Sequence, residues 1–209
     1  MSEPTALTRL THKEVTDKEM MYSFLDAARI AHIGFVAPHG NPVVLPTAFV
    51  RDQNRILIHG STGSGMFRAL ANGAQCCVEV TLLDGLVLAR SGFESSIHYR
   101  SVVIFGTFTQ STDKAADLAV ITEGIFPGRT AELRPMLAKE IAATSVLEME
   151  IEQWSAKMSQ GDPHDEGDDI DWPVWAGVVP IHTVIGEPIP AENLAANLHT
   201  PPTYISQWK

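Results

Sequence analysis

The residues best placed to do chemistry lie between Arg55 and Gly106. A strand-like run, RILIH, opens into HGSTGSG (His59 to Gly65), and a helix-like MFRALANG follows from Met66. The β run YRSVVIFG comes later. A strand that enters a Gly/Ser/Thr turn and then a helix start gathers several backbone N–H groups in one place. The first amides of a helix lack internal partners and the helix dipole favours an anion, so this pattern suits a phosphate. A phosphate-bearing cofactor is one reading of the segment. An ordinary loop is the other, because Gly/Ser turns before helices are common.

Other chemistries find less support. The eight histidines (His12, His32, His39, His59, His98, His164, His182 and His199) form no HxH, HxxxH or Cys/His cluster, so no metal site is expected. No G-x-S-x-G elbow, Walker A motif or GxGxxG after a strand is present. Cys76 and Cys77 are adjacent in the strand-like QCCVEVTLL, where neighbours point to opposite faces, so no disulfide is expected between them. An enzyme built on this sequence would draw its chemistry from a bound cofactor.

The elements that must position these residues read as follows. Residues 1–16 form an extended lead-in, and a helix starts after Thr16 or Asp17 over MMYSFLDAA. IAHIGFVA, PVVLPTAFVR and RILIH, joined by the short turns PHGN and Asp52–Asn54, predict an antiparallel meander. QCCVEVTLLDGLVLA is two apolar runs split by Asp84-Gly85, which reads as a hairpin turn or, preferred here, as a kink or bulge within one long strand. RSVVIFGTFTQ is a further strand, and 113–126 and 136–144 are helical. SVLEMEIEQWSAKM (145–158) alternates strictly, as one strand. An acidic loop (159–173) leads to a last strand in WPVWAGVVPIHTVIGEPIP, and 186–209 is a Pro-rich tail. Six or seven strands with few helices predict a single mainly-β domain, a small closed or partly open barrel.

At 209 residues and 44% apolar, the chain is long enough to bury a core without staples. A net charge of −10 argues against a nucleic-acid partner. Six carboxylates between Asp162 and Asp171 make part of that excess local. With no long apolar run, no apolar leader and only two cysteines, no membrane association is expected and a cytoplasmic setting is.

Five stretches together resemble the pyridoxamine 5′-phosphate oxidase-like family of FMN-binding split barrels, in its nitroimidazole-resistance and flavin-nucleotide-binding branch. They are IAHIGFVAPHGNPVVLPTAFV, RILIHGSTGSGMFRALANGAQCCVEVTLLDGLVLARS, HYRSVVIFG, SAKMSQGDPHDEGDDIDWPVWAGVVP and GEPIP. The resemblance implies a six-stranded Greek-key split β-barrel and a homodimer with FMN at the subunit interface. It places Val43, Val44, Leu45, Pro46 and Thr47 along the isoalloxazine. His59, Gly60, Ser61, Thr62 and Ser64 fall near the ribityl phosphate with Met66 beside them, Arg100 and Ser101 on a strand reaching the flavin, and Trp175 in the second subunit's contribution. It also makes His59 the expected catalytic donor or proton source.

Where relatives carry Lys or Arg in the phosphate turn, Thr62 to Met66 hold none, so Arg68, Arg90 or Arg100 must supply the charge. The Arg/Trp/His pattern by which pyridoxamine phosphate oxidases hold their substrate is not evident, so oxidation of vitamin B6 is not implied. The function expected from the resemblance is an FMN-dependent oxidoreductase acting on a small, aromatic or nitro-bearing acceptor. A non-catalytic protein binding flavin or haem, and a cofactor-free structural dimer, are the alternatives.

Overall fold

Strand alternation in the sequence becomes one antiparallel sheet. The computed structural model describes Thr5, residues 10–195 and residues 198–208, so most of the expected lead-in and part of the tail lie outside the described residues. The strands are β1 (Glu14–Val15), β2 (Ile30–Val36), β3 (Pro42–Asp52), β4 (Arg55–Ser61), β5 (Gln75–Leu88), β6 (Ser96–Thr107), β7 (Thr109–Gln110), β8 (Thr144–Glu150), β9 (Gln153–Ser159) and β10 (Gly177–Pro180). Their order is β1-β9-β6-β5-β2-β3-β4-β8-β7, with β10 on the far end of β5. β5 returns to lie beside β2 after the β2–β3–β4 meander, which is a Greek key.

Ten strands stand where six or seven were expected. The difference comes from the two-residue β1, from β7, which Phe108 cuts off the expected 100–110 strand, and from a break inside 145–158. Ile151 and Glu152 separate β8 from β9, and the inward set shifts there by one residue, from Leu147, Met149 and Ile151 to Trp154, Ala156 and Met158. These two strands lie toward opposite ends of the strand path, so the sheet must curl until its ends approach. A Cβ on Gly106 of β6 would stand 3.1 Å from the Met149 sulfur of β8, which places the ends against each other.

Inward-facing residues alternate as a half-buried sheet requires. Ala31, Ile33 and Phe35 of β2, Ile56 and Ile58 of β4, Val78 and Val80 of β5, and Val102 and Ile104 of β6 fill the barrel. Helix α1 (Lys18–Ala27) closes one end with Met21, Phe24 and Leu25, three positions on one helical face. Its N-cap is Asp17, whose carboxylate accepts the Met20 N–H at 2.7 Å. Helix α2 (Gly65–Ala71) contributes Met66, Phe67, Ala69 and Leu70. Helix α3 (Lys114–Ile125) packs Leu118 and Ile121 on Leu57 and Val146, across the outer face of β4 and β8. The last helix, α4 (Ala138–Ala143), precedes β8.

The Asp84-Gly85 step is a bulge within one continuous β5, with the β5–β6 register shifting between Leu83 and Gly85. Beside α3, Arg55 donates to Asp52, Asp117 and Glu148, and the buried Asp117 also accepts from Ser111 Oγ at 2.6 Å. No described helix is long and apolar enough to cross a membrane.

Candidate functional site: the fork between β3 and β4

β3 is shared between two neighbours. Residues 42–48 pair with β2, and residues 49–52 pair with β4. The last β3–β4 pair is Phe49 with Ile58, and beyond it β4 continues against β8 through His59, Gly60 and Ser61. The sheet therefore divides at Ala48 and His59. From there Val43 to Thr47 present a backbone edge with no strand beside it among the described residues. In water or against apolar surface such an edge needs a partner. Val44 is 66% exposed and Leu45 40% exposed, so apolar side chains also line this fork.

The far wall is the turn after β4. A Cβ on Gly60 would lie 2.3 Å from the Phe67 ring, so only glycine lets α2 lie this close to the strand. Ser61 O accepts the Ser64 N–H at 3.0 Å, Ser61 Oγ accepts the Gly63 N–H at 3.1 Å, and Ala143 O accepts the Thr62 N–H at 3.1 Å. Three amides of the turn are thus engaged by the protein, two within the turn and one by α4. The amides of Gly65, Met66 and Phe67 find no protein acceptor among the described residues. The free donors are the first amides of α2, one to three residues beyond Ser64.

At the fork stands His59, half-buried, with Nδ1 buried and without a hydrogen-bond partner among the described residues. Burial pulls its pKa below the ordinary histidine value, so the neutral ring is favoured. An imidazole held neutral can accept or deliver a proton through Nε2 at a group placed against it.

Of the three arginines open for the missing charge, one is free among the described residues. Arg90 binds Asp165 through its backbone N–H at 2.7 Å and its guanidinium at 2.8 Å. Arg100 binds Asp84 through two nitrogens at 2.8 and 2.7 Å and lies over the Phe24 ring. Arg68 is exposed and has no carboxylate partner among the described residues. It follows Ser64 by four residues, on the same helical face, and helical side chains lean toward the N-terminus, here toward the turn.

The structure thus brings together Val44, Leu45, Pro46 and Thr47 on one side of the fork, with His59, Gly60, Ser61, Thr62, Ser64 and Met66 on the other. Arg100, Ser101 and Trp175 are not brought there within one chain. β6 is separated from β3 by β5 and β2, three strand spacings or about 14 Å. Arg100 faces α1, while Ser101 lies on the opposite face of β6, beside Thr81. Trp175 is 65% exposed near the far end of β5, where it limits the space around Gly177. His98 sits opposite Gly85 at the bulge, away from the fork. No group of three or more His, Cys, Asp or Glu able to hold a metal occurs among the described residues.

This split, mainly-β antiparallel architecture has a known class. Residues 17–158 match the family model for pyridoxamine 5′-phosphate oxidase, and the chain belongs to that family. Among solved structures, it is 45% identical to a Mycobacterium smegmatis protein described as binding FAD and haem, over 93% of this chain and 96% of that one, with a TM-score of 0.89. It is 35% identical to the flavocytochrome Anf3 from Azotobacter vinelandii, over 100% of this chain and 97% of that one, with a TM-score of 0.92. A Bacteroides thetaiotaomicron protein described as a putative 5-nitroimidazole antibiotic resistance protein shares the fold at 19% identity and a TM-score of 0.58, over 69% of this chain and 85% of that one. No protein with a curated description matches.

Proposed function

We propose that the chain is a flavoprotein that binds its cofactor in the fork and passes electrons or hydride to a small acceptor. The observation that carries this reading is the fork itself: a free strand edge and exposed apolar side chains facing a turn with unengaged amides and a nearby free arginine. These are the groups a flavin requires, a flat apolar slot with a few donors and a counter-charge for phosphate. A bound flavin supplies the hydride and electron chemistry that no side chain here offers.

The chain's own residues then have separate tasks. Val43 to Thr47 offer backbone groups to the polar rim of the ring. Gly65 and Met66 offer amides toward the ribityl end, and Arg68 supplies the positive charge. His59 holds or delivers a proton through its imidazole, at Nε2, since Nδ1 is buried within the chain. All of these contacts address the part that FMN and FAD share. FMN is thus the minimal ligand, and the FAD described for the Mycobacterium protein supports the dinucleotide as the form bound.

A homodimer is part of the same proposal. The face of the sheet turned away from the core carries Val36, Val44 and Pro46 beside His32, Cys77 and Glu79. A second copy on that face would cover these side chains, and Trp175, far from the fork of its own chain, is the residue proposed to serve the fork of the other copy. A second reading, a haem held together with the flavin for electron transfer and not for turnover of a small acceptor, is favoured by the description of the 45%-identical relative.

The visible spectrum of the purified protein, before and after incubation with FMN, FAD or haem and desalting, tests both readings. Retained flavin bands are expected, and a Soret band beside them would select the haem reading. A colourless protein that keeps none of the three would end the flavoprotein proposal.

A further inference from the structure

We infer a second ligand site, for a planar aromatic molecule carrying a carboxylate or phosphate, in the groove between the end of α3 and the C-terminal turn. The groove has a volume of about 310 Å³ and is lined by Arg29, Pro127, Gly128, Tyr204, Gln207 and Trp208. That is the lower end of the range for small-molecule sites.

Its aromatic walls are fixed. Trp208 Nε1 donates to Pro127 O at 2.9 Å. The Tyr204 hydroxyl donates to Glu132 at 2.7 Å and accepts from Arg129 at 3.4 Å. The two ring centroids are 5.9 Å apart, with the rings inclined by 40°. Gly128 has φ +85°, and a Cβ there would lie 2.8 Å from the Tyr204 ring, so the backbone is shaped to receive that ring.

The charge in the groove is unspent. Neighbouring Arg51 is bound to Asp26 and Arg129 to Glu132, whereas Arg29 is exposed and has no carboxylate partner among the described residues. A guanidinium beside fixed aromatic faces can pair with an anion in a planar fork while the ligand's ring stacks. An adjoining cavity of about 220 Å³ shares Arg29 and has Phe49 and Ile125 in its lining beside the Arg51–Asp26 pair. The larger cavity of about 410 Å³ elsewhere is lined by Glu148, Glu150 and Glu152 and suits no anion. This inference does not rest on flavin binding.

Calorimetric titration of the full chain with 4-nitrobenzoate and with AMP, each against its uncharged counterpart nitrobenzene or adenosine, tests it. At least one anion is expected to bind about tenfold or more tightly than its neutral counterpart, the gain of one charge-assisted contact. Binding of 4-nitrobenzoate alone would identify a carboxylate ligand, and of AMP alone a phosphate. Arg29→Gln, at an exposed position, should erase the preference, while Trp208→Leu should weaken charged and neutral probes alike. Failure of both anions to bind, or a preference that survives Arg29→Gln, would overturn the site.

Discussion

His59 is the side chain whose environment most directly limits what the fork can do. Its buried, unpaired nitrogen favours the neutral ring, and the acid response follows from that. The folded pKa lies below that of the unfolded chain, so the unfolded state binds the proton more readily. The stability linked to neutral His59 is complete above about pH 6.5 and is lost as pH falls toward the depressed folded value. Chemical denaturation as a function of pH should show this acid slope, and His59→Gln should flatten it. If His59 also serves a bound flavin as proton source, His59→Ala lowers reductase turnover by about a hundredfold with the cofactor retained; full activity would remove that role. Arg68 belongs to the same scale. Arg68→Gln should weaken FMN about tenfold while leaving riboflavin, which lacks the phosphate, unchanged in a fluorescence titration. Gly65→Arg should strengthen FMN. Sequence alone left three arginines open for this role, because what separates them is which carboxylates Asp84 and Asp165 reach in the fold.

At the scale of elements, the seat of α2 depends on a single hydrogen. Gly60→Ala should destabilise the protein by about 2 kcal/mol, because the new methyl meets the Phe67 ring and one of them must shift. A denaturant titration checks this, and an unchanged midpoint would mean that α2 moves freely over β4. The strands themselves were legible in the sequence because period-2 alternation survives wherever one face is buried. The bulge in β5 was legible from Asp-Gly between two apolar runs. The division of β8 from β9 carries no glycine or proline, and its one signal is a change of phase, from Leu147, Met149 and Ile151 to Trp154, Ala156 and Met158. The fork was half visible: HGSTGSG marked one wall, but the point where β3 leaves β4 is a property of pairing. The groove was not legible at all, because Arg29 and Trp208 come from opposite ends of the chain.

For the whole molecule, the proposed second copy gives the outer sheet face its partner. Val44→Asp places a charge on that face at a position already exposed in one chain, so the fold should persist while association fails. Sedimentation is expected to show a dimer for the parent chain and a monomer for the variant, and a variant that stays dimeric would move the interface elsewhere. The two-residue link between β8 and β9 has a consequence for biosynthesis. It places the ends of the strand path next to each other in the chain, and β4 meets β8 only across the long interval from Ile58 to Leu147. A nascent chain emerging N-terminus first can form the meander early, but it has nothing to close it with until Ser159 has left the ribosome. Until then the apolar inner faces of β2 to β6 stand uncovered, so the barrel completes late and slowly, as topologies dominated by distant pairings do.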